Sequence, residues 1–484
     1  MYVKKIFNQS LLYGLGSSFT SLVSFLILPV YTKLLSVQDF GKLSLILTAI
    51  FLLQYIYNMG VYSGFMIKYF DLKSDDVDGR RRLNSTILFF YLAFCSVASV
   101  LIYFFLGARI SVFMGSQGRA VVFFIVLIPS CEILYALPTA IMRLEERIIA
   151  FISINFLKSL FLWVAVFVAL RATNGTLNAA LAAQLAVVFA ATLLAYLLTY
   201  RHYAFIFDIR AFKDSVKIGL PFLIVMLSFW LIDSVSKFMV KYYLSLTDVA
   251  LYSMGFKIGQ SVLLVVTIFQ LVWQPMMFRI ASEGKASEIY ARIFNYFILA
   301  VFTVSLAVSL FSRKLILLFS TESYVSSAGL VPLIVFAYAF YGFFYYLQTP
   351  LIIKKRLIYL MLVCVGGTVF NIAANIIAIP FFGITGAAYA TLITYIVMSC
   401  AVLLASQKVF HISYDFVKII KISAAVLLVS LLGRWDPWRG FSSILFQLAM
   451  IFLFFIMLFV LRFFDDRDIF FLKGKLRLFQ RIAA

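Results

Sequence analysis

Residues 120–147 read AVVFFIVLIPSCEILYALPTAIMRLEER. From Ala120 to Met142 the stretch is apolar except for a few small polar side chains and one carboxyl, Glu132; Arg143 and Arg147 then follow. A helix needs about 20 apolar residues to cross the roughly 30 Å of bilayer hydrocarbon. The stretch is therefore expected to be one membrane span with a basic exit. Working outward, the same pattern recurs along the 484 residues, at roughly 9–31, 41–63, 86–107, 150–171, 177–200, 216–240, 250–276, 292–312, 329–353, 358–379, 385–407, 419–433 and 443–461. The expected fold class is an all-α polytopic membrane protein of about 14 transmembrane helices.

Composition agrees. The chain is 64% hydrophobic and 13% charged, where a soluble domain is about one quarter charged. A net charge of +21 could point to nucleic acid, but the basic residues sit in short loops beside spans. Charge so placed orients a chain in the membrane, so nucleic acid is not an expected partner. Sorted by alternate loops, Lys and Arg favour one side almost three to one. That side carries Lys4 and Lys5; Lys68, Lys73 and Arg80 to Arg82; Arg143 and Arg147; Lys354 to Arg356; and the tail from Arg462. Excess positive charge marks the cytoplasmic face, which places both termini in the cytoplasm. The longest gap, Gly64 to Ser85, reads as a solvated loop there. The run from about Ser10 to Tyr31 is too long for a signal-peptide core and is expected to stay as the first span. Cys95, Cys131, Cys364 and Cys400 lie inside apolar stretches with no Cys-x-x-Cys, as small buried hydrophobes do.

The chain resembles itself at a shift of about 209 residues. Leu35-Ser36-Val37-Gln38-Asp39, with Ser44 beyond it, matches Leu244-Ser245-Leu246-Thr247-Asp248 with Ser253. Gly175 with Ala179, Ala180 and Ala182 matches Gly383 with Ala387, Ala388 and Ala390. An offset of six spans keeps both copies in one orientation, so the repeats are parallel. The expected organisation is a six-helix lobe over 1–205, a second over 206–410, and two additional helices with a basic tail over 411–484.

These same residues carry a family resemblance. Tyr31-Thr32-Lys33-Leu34-Leu35-Ser36 running on to Asp39-Phe40-Gly41, and Pro380-Phe381-Phe382-Gly383-Ile384-Thr385-Gly386-Ala387-Ala388, resemble the bacterial polysaccharide transport family. That family shares a superfamily with multidrug and toxin extrusion antiporters and lipid II flippases. The resemblance implies a flippase for undecaprenyl-diphosphate-linked oligosaccharides (O-antigen, capsule or exopolysaccharide units) in the bacterial inner membrane. It implies two lobes around a central cationic cavity, alternating access, no bound cofactor, and possible coupling to a proton or sodium gradient. Membrane lipids, a polymerase and other polysaccharide-assembly proteins are the partners it suggests.

Ionisable groups within spans cost about 2.5–3.5 kcal/mol on insertion scales and usually face the bundle interior. Here they are Glu132, Lys158, Asp233, Lys237 and Lys257. Lys237 and Lys257 are the leading candidates for an anionic diphosphate, since a lysine is a movable point charge that can later release its ligand. Lys158, and Lys33 and Lys241 at span ends, are further candidates; snorkelling is the plainer reading of the last two. Asp233 and Glu132 are candidates for ion coupling, against an internal Asp233–Lys237 pair and a paired or protonated Glu132. Lys257, Gln260, Thr267, Gln270 and Gln274 form a polar stripe, and Asn371 and Asn375 suit helix-to-helix hydrogen bonding. Pro29 suits either a gating bend or a helix end.

An enzyme is not expected. The two histidines, His202 and His411, fall in loops, and no phosphate-binding Gly-rich loop or His-Glu-x-x-His occurs. The outward loops are too short for a polytopic glycosyltransferase or polymerase. A multidrug or ion antiporter of the same fold is the main alternative; lysines outnumber acids among the groups within spans, which disfavours cationic drugs.

Overall fold

The structure is a computed structural model and describes residues 25–72, 76–115, 119–281, 283–433, 435 and 440–463. Most of the first expected span, with Ser10, Gly14, Ser17, Ser21 and Ser24, lies outside the described residues. So do Lys4, Lys5, Lys73, Arg434, Arg439 and the tail beyond Phe463.

The described chain is mostly helical, with short non-helical connections such as 203–208 and 410–415. In order the helices are α1 (Leu28–Leu34), α2 (Val37–Asn58), α3 (Val61–Asp71), α4 (Val77–Leu101), α5 (Gly107–Phe113), α6 (Ala120–Leu144), α7 (Ile148–Ala172), α8 (Leu177–Thr199) and α9 (Ile209–Tyr243). They continue as α10 (Leu246–Gly259), α11 (Leu263–Ala281), α12 (Ala286–Leu310), α13 (Ser312–Phe319), α14 (Val331–Leu347), α15 (Thr349–Ile353), α16 (Leu357–Val409), α17 (Phe416–Leu432) and α18 (Phe441–Val460). Among the described residues eleven helical stretches are long and apolar enough to cross a membrane. Pro29 lies in the first turn of α1, where a missing N–H costs nothing.

The expected loop from Gly64 to Ser85 is mostly helix instead. α3 runs through to Asp71 and α4 begins at Val77. The reason is a buried apolar face: Val61, Phe65 and Tyr69 recur every four residues and are all shielded from solvent. Polar composition on the other face hid that stripe.

The chain forms two compact units. The first comprises Met1–Met254, Ile316–Ser327 and Met361–Thr394; the second comprises Gly255–Leu315, Ala328–Leu360 and Tyr395–Ala484.

In the first unit the sequence repeat becomes geometry. Ser36 caps α2: its Oγ accepts from the Asp39 N–H at 3.1 Å and donates to the Asp39 carboxylate at 2.7 Å. Ser245 does the same for α10, at 3.1 Å from the Asp248 N–H and 2.6 Å from its carboxylate. Such reciprocal caps satisfy amides that the first helical turn leaves unpaired. Beyond them, Ser44 Oγ donates to Ser253 Oγ at 2.5 Å, across a separation of 209 residues. A residue meets its own counterpart only where a twofold axis passes, so α2 and the start of α10 are related locally by twofold symmetry. Close approach depends on Gly41, where a Cβ would lie 2.1 Å from the Leu246 carbonyl oxygen. The second motif match also shares a positive φ. Gly175 (φ 83°) and Gly383 (φ 58°) both adopt the left-handed φ that glycine alone reaches without strain.

Gly383 also explains α16. A straight helix of 53 residues would extend about 80 Å, more than twice the hydrocarbon thickness. At Gly383 the backbone leaves helical geometry (ψ −140°), and the chain folds back. A Cβ on Gly386 would lie 2.2 Å from the Ala378 carbonyl oxygen. The arms 357–382 and 384–409 coincide with the two expected spans.

Elsewhere in this unit α6 packs against α2 and α8, α7 packs on α8, and α3 packs on α9. The last pair is very close. A Cβ on Gly60 would lie 2.3 Å from the Gly219 carbonyl oxygen, and one on Gly64 would lie 1.9 Å from that of Ser215. Small residues permit such backbone approach where no hydrophobic force drives helices together.

The second unit is held by aromatic packing. Trp273 and Tyr346 stack with centroids 4.5 Å apart, and Phe269 meets Phe297 at 4.2 Å. The polar handles are satisfied: Trp273 Nε1–H donates to Thr349 Oγ1 at 3.0 Å, and the Tyr346 hydroxyl to the Tyr290 carbonyl at 2.7 Å. α12 packs on α14 and α17, and α17 on α18.

Gly64→Val should lower the thermal unfolding temperature of the purified protein in detergent, because overpacking costs about 1–3 kcal/mol. Gly366→Ala, a helical position with open space around it, should leave that temperature unchanged or raise it. Equal behaviour of the two variants would refute the α3–α9 packing account.

Candidate functional site

Asp233, Lys237 and Lys241 lie on α9, and their spacing of four puts them on one helix face. All three are half-buried. The field of the Asp233 carboxylate reaches two phenols in the first unit, Tyr55 of α2 and Tyr252 of α10.

A buried polar layer joins α9 to α16. Thr368 Oγ1 donates to the Ser228 carbonyl at 3.2 Å, tying α16 to α9. Asn371 Nδ2 donates to Thr394 Oγ1 at 3.0 Å, joining the two arms of α16, and Asn375 Nδ2 donates to the Asn371 carbonyl at 2.9 Å. Asn371 and Asn375 are fully buried. One acceptor is left over, the Asn375 side-chain oxygen, buried without a partner. An unsatisfied buried oxygen is costly, and a hard cation with oxygen ligands would relieve it. Among the described residues no cluster of three His, Cys, Asp or Glu side chains suits a metal ion.

The structure brings Glu132 and Lys158 together. Lys158 Nζ lies 2.5 Å from Glu132 Oε2, with the side chains 15% and 23% exposed. The ammonium also sits 4.2 Å from the Tyr135 ring centroid, and the Tyr135 hydroxyl donates to Asn155 Oδ1 at 3.2 Å. α6 is itself fixed to α8 by Thr192 Oγ1 on the Cys131 carbonyl at 3.2 Å and by the Tyr196 hydroxyl on the Leu134 carbonyl at 3.0 Å. Each charge here has its counter-charge, as burial in a membrane demands.

Lys33, at the last turn of α1, is exposed. Lys257 belongs to the second unit and is half-buried near the end of α10. Two residues of the polar stripe beyond it hold α14: Gln260 Nε2 donates to the Tyr338 hydroxyl at 3.3 Å and Gln274 Nε2 to that of Tyr345 at 3.1 Å. Thr267 turns back to its own helix, on the Leu263 carbonyl at 2.8 Å.

Sequence reading did not single out a network on the side with the basic loops. The Glu145 carboxylate takes His202 Nδ1 at 2.9 Å and accepts from the Tyr69 hydroxyl at 3.2 Å. Burial, with the Glu145 charge beside it, pushes the Tyr69 phenol up to about 12. Lys68 pairs with Asp214 at 2.5 Å, linking α3 to α9. The five polar groups come from four stretches far apart in sequence, so no local spacing announced them.

A family model described as polysaccharide biosynthesis protein matches residues 6–281. No individual curated protein sequence matches. Among solved structures, a lipid II flippase, MurJ, in an inward closed conformation superposes with a TM-score of 0.74 at 15% identity, covering 95% of this chain and 100% of that one. An inward-facing multidrug resistance MATE family transporter of the MOP superfamily gives 0.60 at 15% identity, covering 80% and 94%. The Vibrio cholerae MATE transporter VcmN gives 0.54 at 12% identity, covering 84% and 96%. At these identities the likeness establishes the fold.

The Glu132–Lys158 pair generates a stability prediction. Glu132→Gln or Lys158→Met alone leaves an uncompensated charge and should cost about 3–5 kcal/mol. The double variant should recover most of that loss in thermal unfolding of the reconstituted protein. Additive losses would show that the two charges do not depend on each other.

Proposed function

We infer the function from one premise: the chain belongs to the polysaccharide biosynthesis protein family, whose model covers more than half of it. It is a multi-pass membrane protein with a MurJ- and MATE-like fold. The reading supported best is a non-enzymatic flippase that moves an undecaprenyl-diphosphate-linked oligosaccharide from the cytoplasmic to the outer leaflet of a bacterial inner membrane. Family membership is the observation that carries it. The known substrate class of the MurJ flippase, lipid II, supports a lipid-linked cargo. Fourteen spans, two six-span repeats flanking the translocation path and cytoplasmic termini are part of the proposal; the paired capping boxes and the Ser44–Ser253 bond support the repeat.

In this reading Lys237 and Lys257 replace the hydration of the diphosphate. Lys241 and Lys33 add charge toward the span ends. Lys158, already paired with Glu132, contributes less. A charge crossing the whole field changes energy by about 2.3 kcal/mol per 100 mV. With a negative cell interior, outward movement of the anion runs down that potential, and no ATP is required. Polymerase and other assembly proteins are the partners such a cargo would meet.

One observation favours a second element, coupling to a cation. The buried Asn375 oxygen without a donor belongs to the polar layer joining α16 to α9, the helix of Asp233. A sodium ion or proton bound at Asp233 would then assist the return step.

Lys237→Gln with Lys257→Gln, at matched expression, should reduce surface polysaccharide export at least tenfold. Undiminished export refutes their role. Flipping of a fluorescent lipid-linked oligosaccharide by wild-type vesicles, with potential, sodium gradient and proton gradient collapsed in turn, separates the two energy sources. Drug resistance without lipid flipping would replace this reading with a multidrug antiporter.

A further inference from the structure

The segment joining α8 to α9 is laid along the first turns of α4 and tied to it throughout. Arg81 Nε–H donates to the Arg201 carbonyl at 2.9 Å and Asn84 Nδ2 to the His202 carbonyl at 2.9 Å. The Ala204 N–H donates to Ser85 Oγ at 2.6 Å and the Asp208 N–H to Thr86 Oγ1 at 2.9 Å. A non-helical strand secured in this way needs little water for its backbone, which is the condition for irregular chain near hydrocarbon.

At its middle, residues 205–207 carry apolar side chains that are turned outward. Phe205 is 99% exposed, and Ile206 and Phe207 are about half exposed. The Phe205 ring lies 6.2 Å from that of Phe89 on α4. Phe89 is two helical turns beyond Arg81, about 12 Å at 1.5 Å per residue. If the arginines of this edge mark the headgroup level, Phe205 reaches the acyl chains beneath. Four arginines lie on this segment and on the helix ends next to it in the chain or in space. Arg147 donates to the Leu198 carbonyl at 3.1 Å, Arg201 Nε–H to the Tyr200 hydroxyl at 2.8 Å, and Arg82 stands exposed beside Arg81. No carboxylate among the described residues forms an ion pair with any of these four. The nearby acids are engaged elsewhere: Asp208 caps α9, and Glu145 holds His202 and Tyr69.

We propose that Arg81, Arg82, Arg147 and Arg201, with Phe205 below them, form a site for an anionic phospholipid: the guanidinium groups take the headgroup phosphate and Phe205 seats among its acyl chains. Guanidinium suits phosphate through its planar fork of donors, and Arg near a membrane surface is attracted by anionic lipid. A neutral lipid offers no net charge to match. The site lies within the first compact unit, and it rests on the membrane assignment alone, whatever cargo the protein carries.

The test uses the full-length protein. In detergent, added phosphatidylglycerol should raise the wild-type unfolding temperature more than equal phosphatidylcholine, and the difference should shrink with salt. Arg81→Gln with Arg201→Gln should remove at least half of that difference. Lys354→Gln with Lys355→Gln, basic residues of the second unit, should preserve it. Loss in the control pair to the same degree, or persistence in the Arg pair, overturns the proposal. So does an equal effect from inorganic phosphate, which would make the ligand a free anion. A second readout covers failure of the Arg variant to fold: Phe205→Trp in vesicles should be quenched by acyl-brominated lipid beyond the wild-type background, and absence of extra quenching overturns the proposal.

Discussion

Inside hydrocarbon no water is at hand for an amide, a hydroxyl or a charge, and nearly every polar feature of this chain answers that constraint. The bond between Ser44 and Ser253 is the simplest case. Two hydroxyls that would each be costly alone satisfy one another, and they meet only because Gly41 lets α2 come against the Leu246 carbonyl. The same logic governs Asn371 and Thr394, which join the arms of α16, and the ion pair of Glu132 with Lys158. Polar groups in this protein act as joints between helices. Apolar surface, which faces lipid as readily as protein, cannot by itself decide which helices pair.

The two compact units solve packing differently. The first relies on glycine and serine at close crossings, as between α3 and α9. The second relies on large rings, with Trp273, Tyr346, Phe269, Phe294 and Phe297 interleaved. Small residues give short distances and strong dependence on each Cβ. Aromatic clusters fill volume and tolerate adjustment, and the Trp273 indole and the Tyr290 and Tyr346 hydroxyls still find carbonyl or hydroxyl partners.

Much of this was legible beforehand, for reasons that can be named. Span positions came from apolar runs, which hydrocarbon thickness dictates. The repeat came from Ser36–Asp39 and Ser245–Asp248, whose capping role needs those residue types at that spacing. Gly175 and Gly383 were matched as members of the repeat, but their positive φ was seen only in the structure. What escaped were relations between distant positions. Nothing in the spacing of Glu132 and Lys158, 26 residues apart on different helices, says that they touch. Tyr55 and Tyr252 looked like ordinary span residues until the fold brought them within the field of Asp233. The Gly64–Ser85 stretch was misread because its charges were weighed and the Val61–Phe65–Tyr69 stripe was not.

The reversal at Gly383 bears on how the protein is made. The turn is a single residue wide, and Phe381 and Phe382 beside it are largely exposed. There is no hydrophilic stretch between the arms that would have to be dragged across the lipid during synthesis. Residues 357–409 therefore suit delivery to the bilayer as one preassembled hairpin, with Asn371 and Thr394 already bonded when they leave water. For this part of the chain, assembly of the pair and partition into the membrane become a single event.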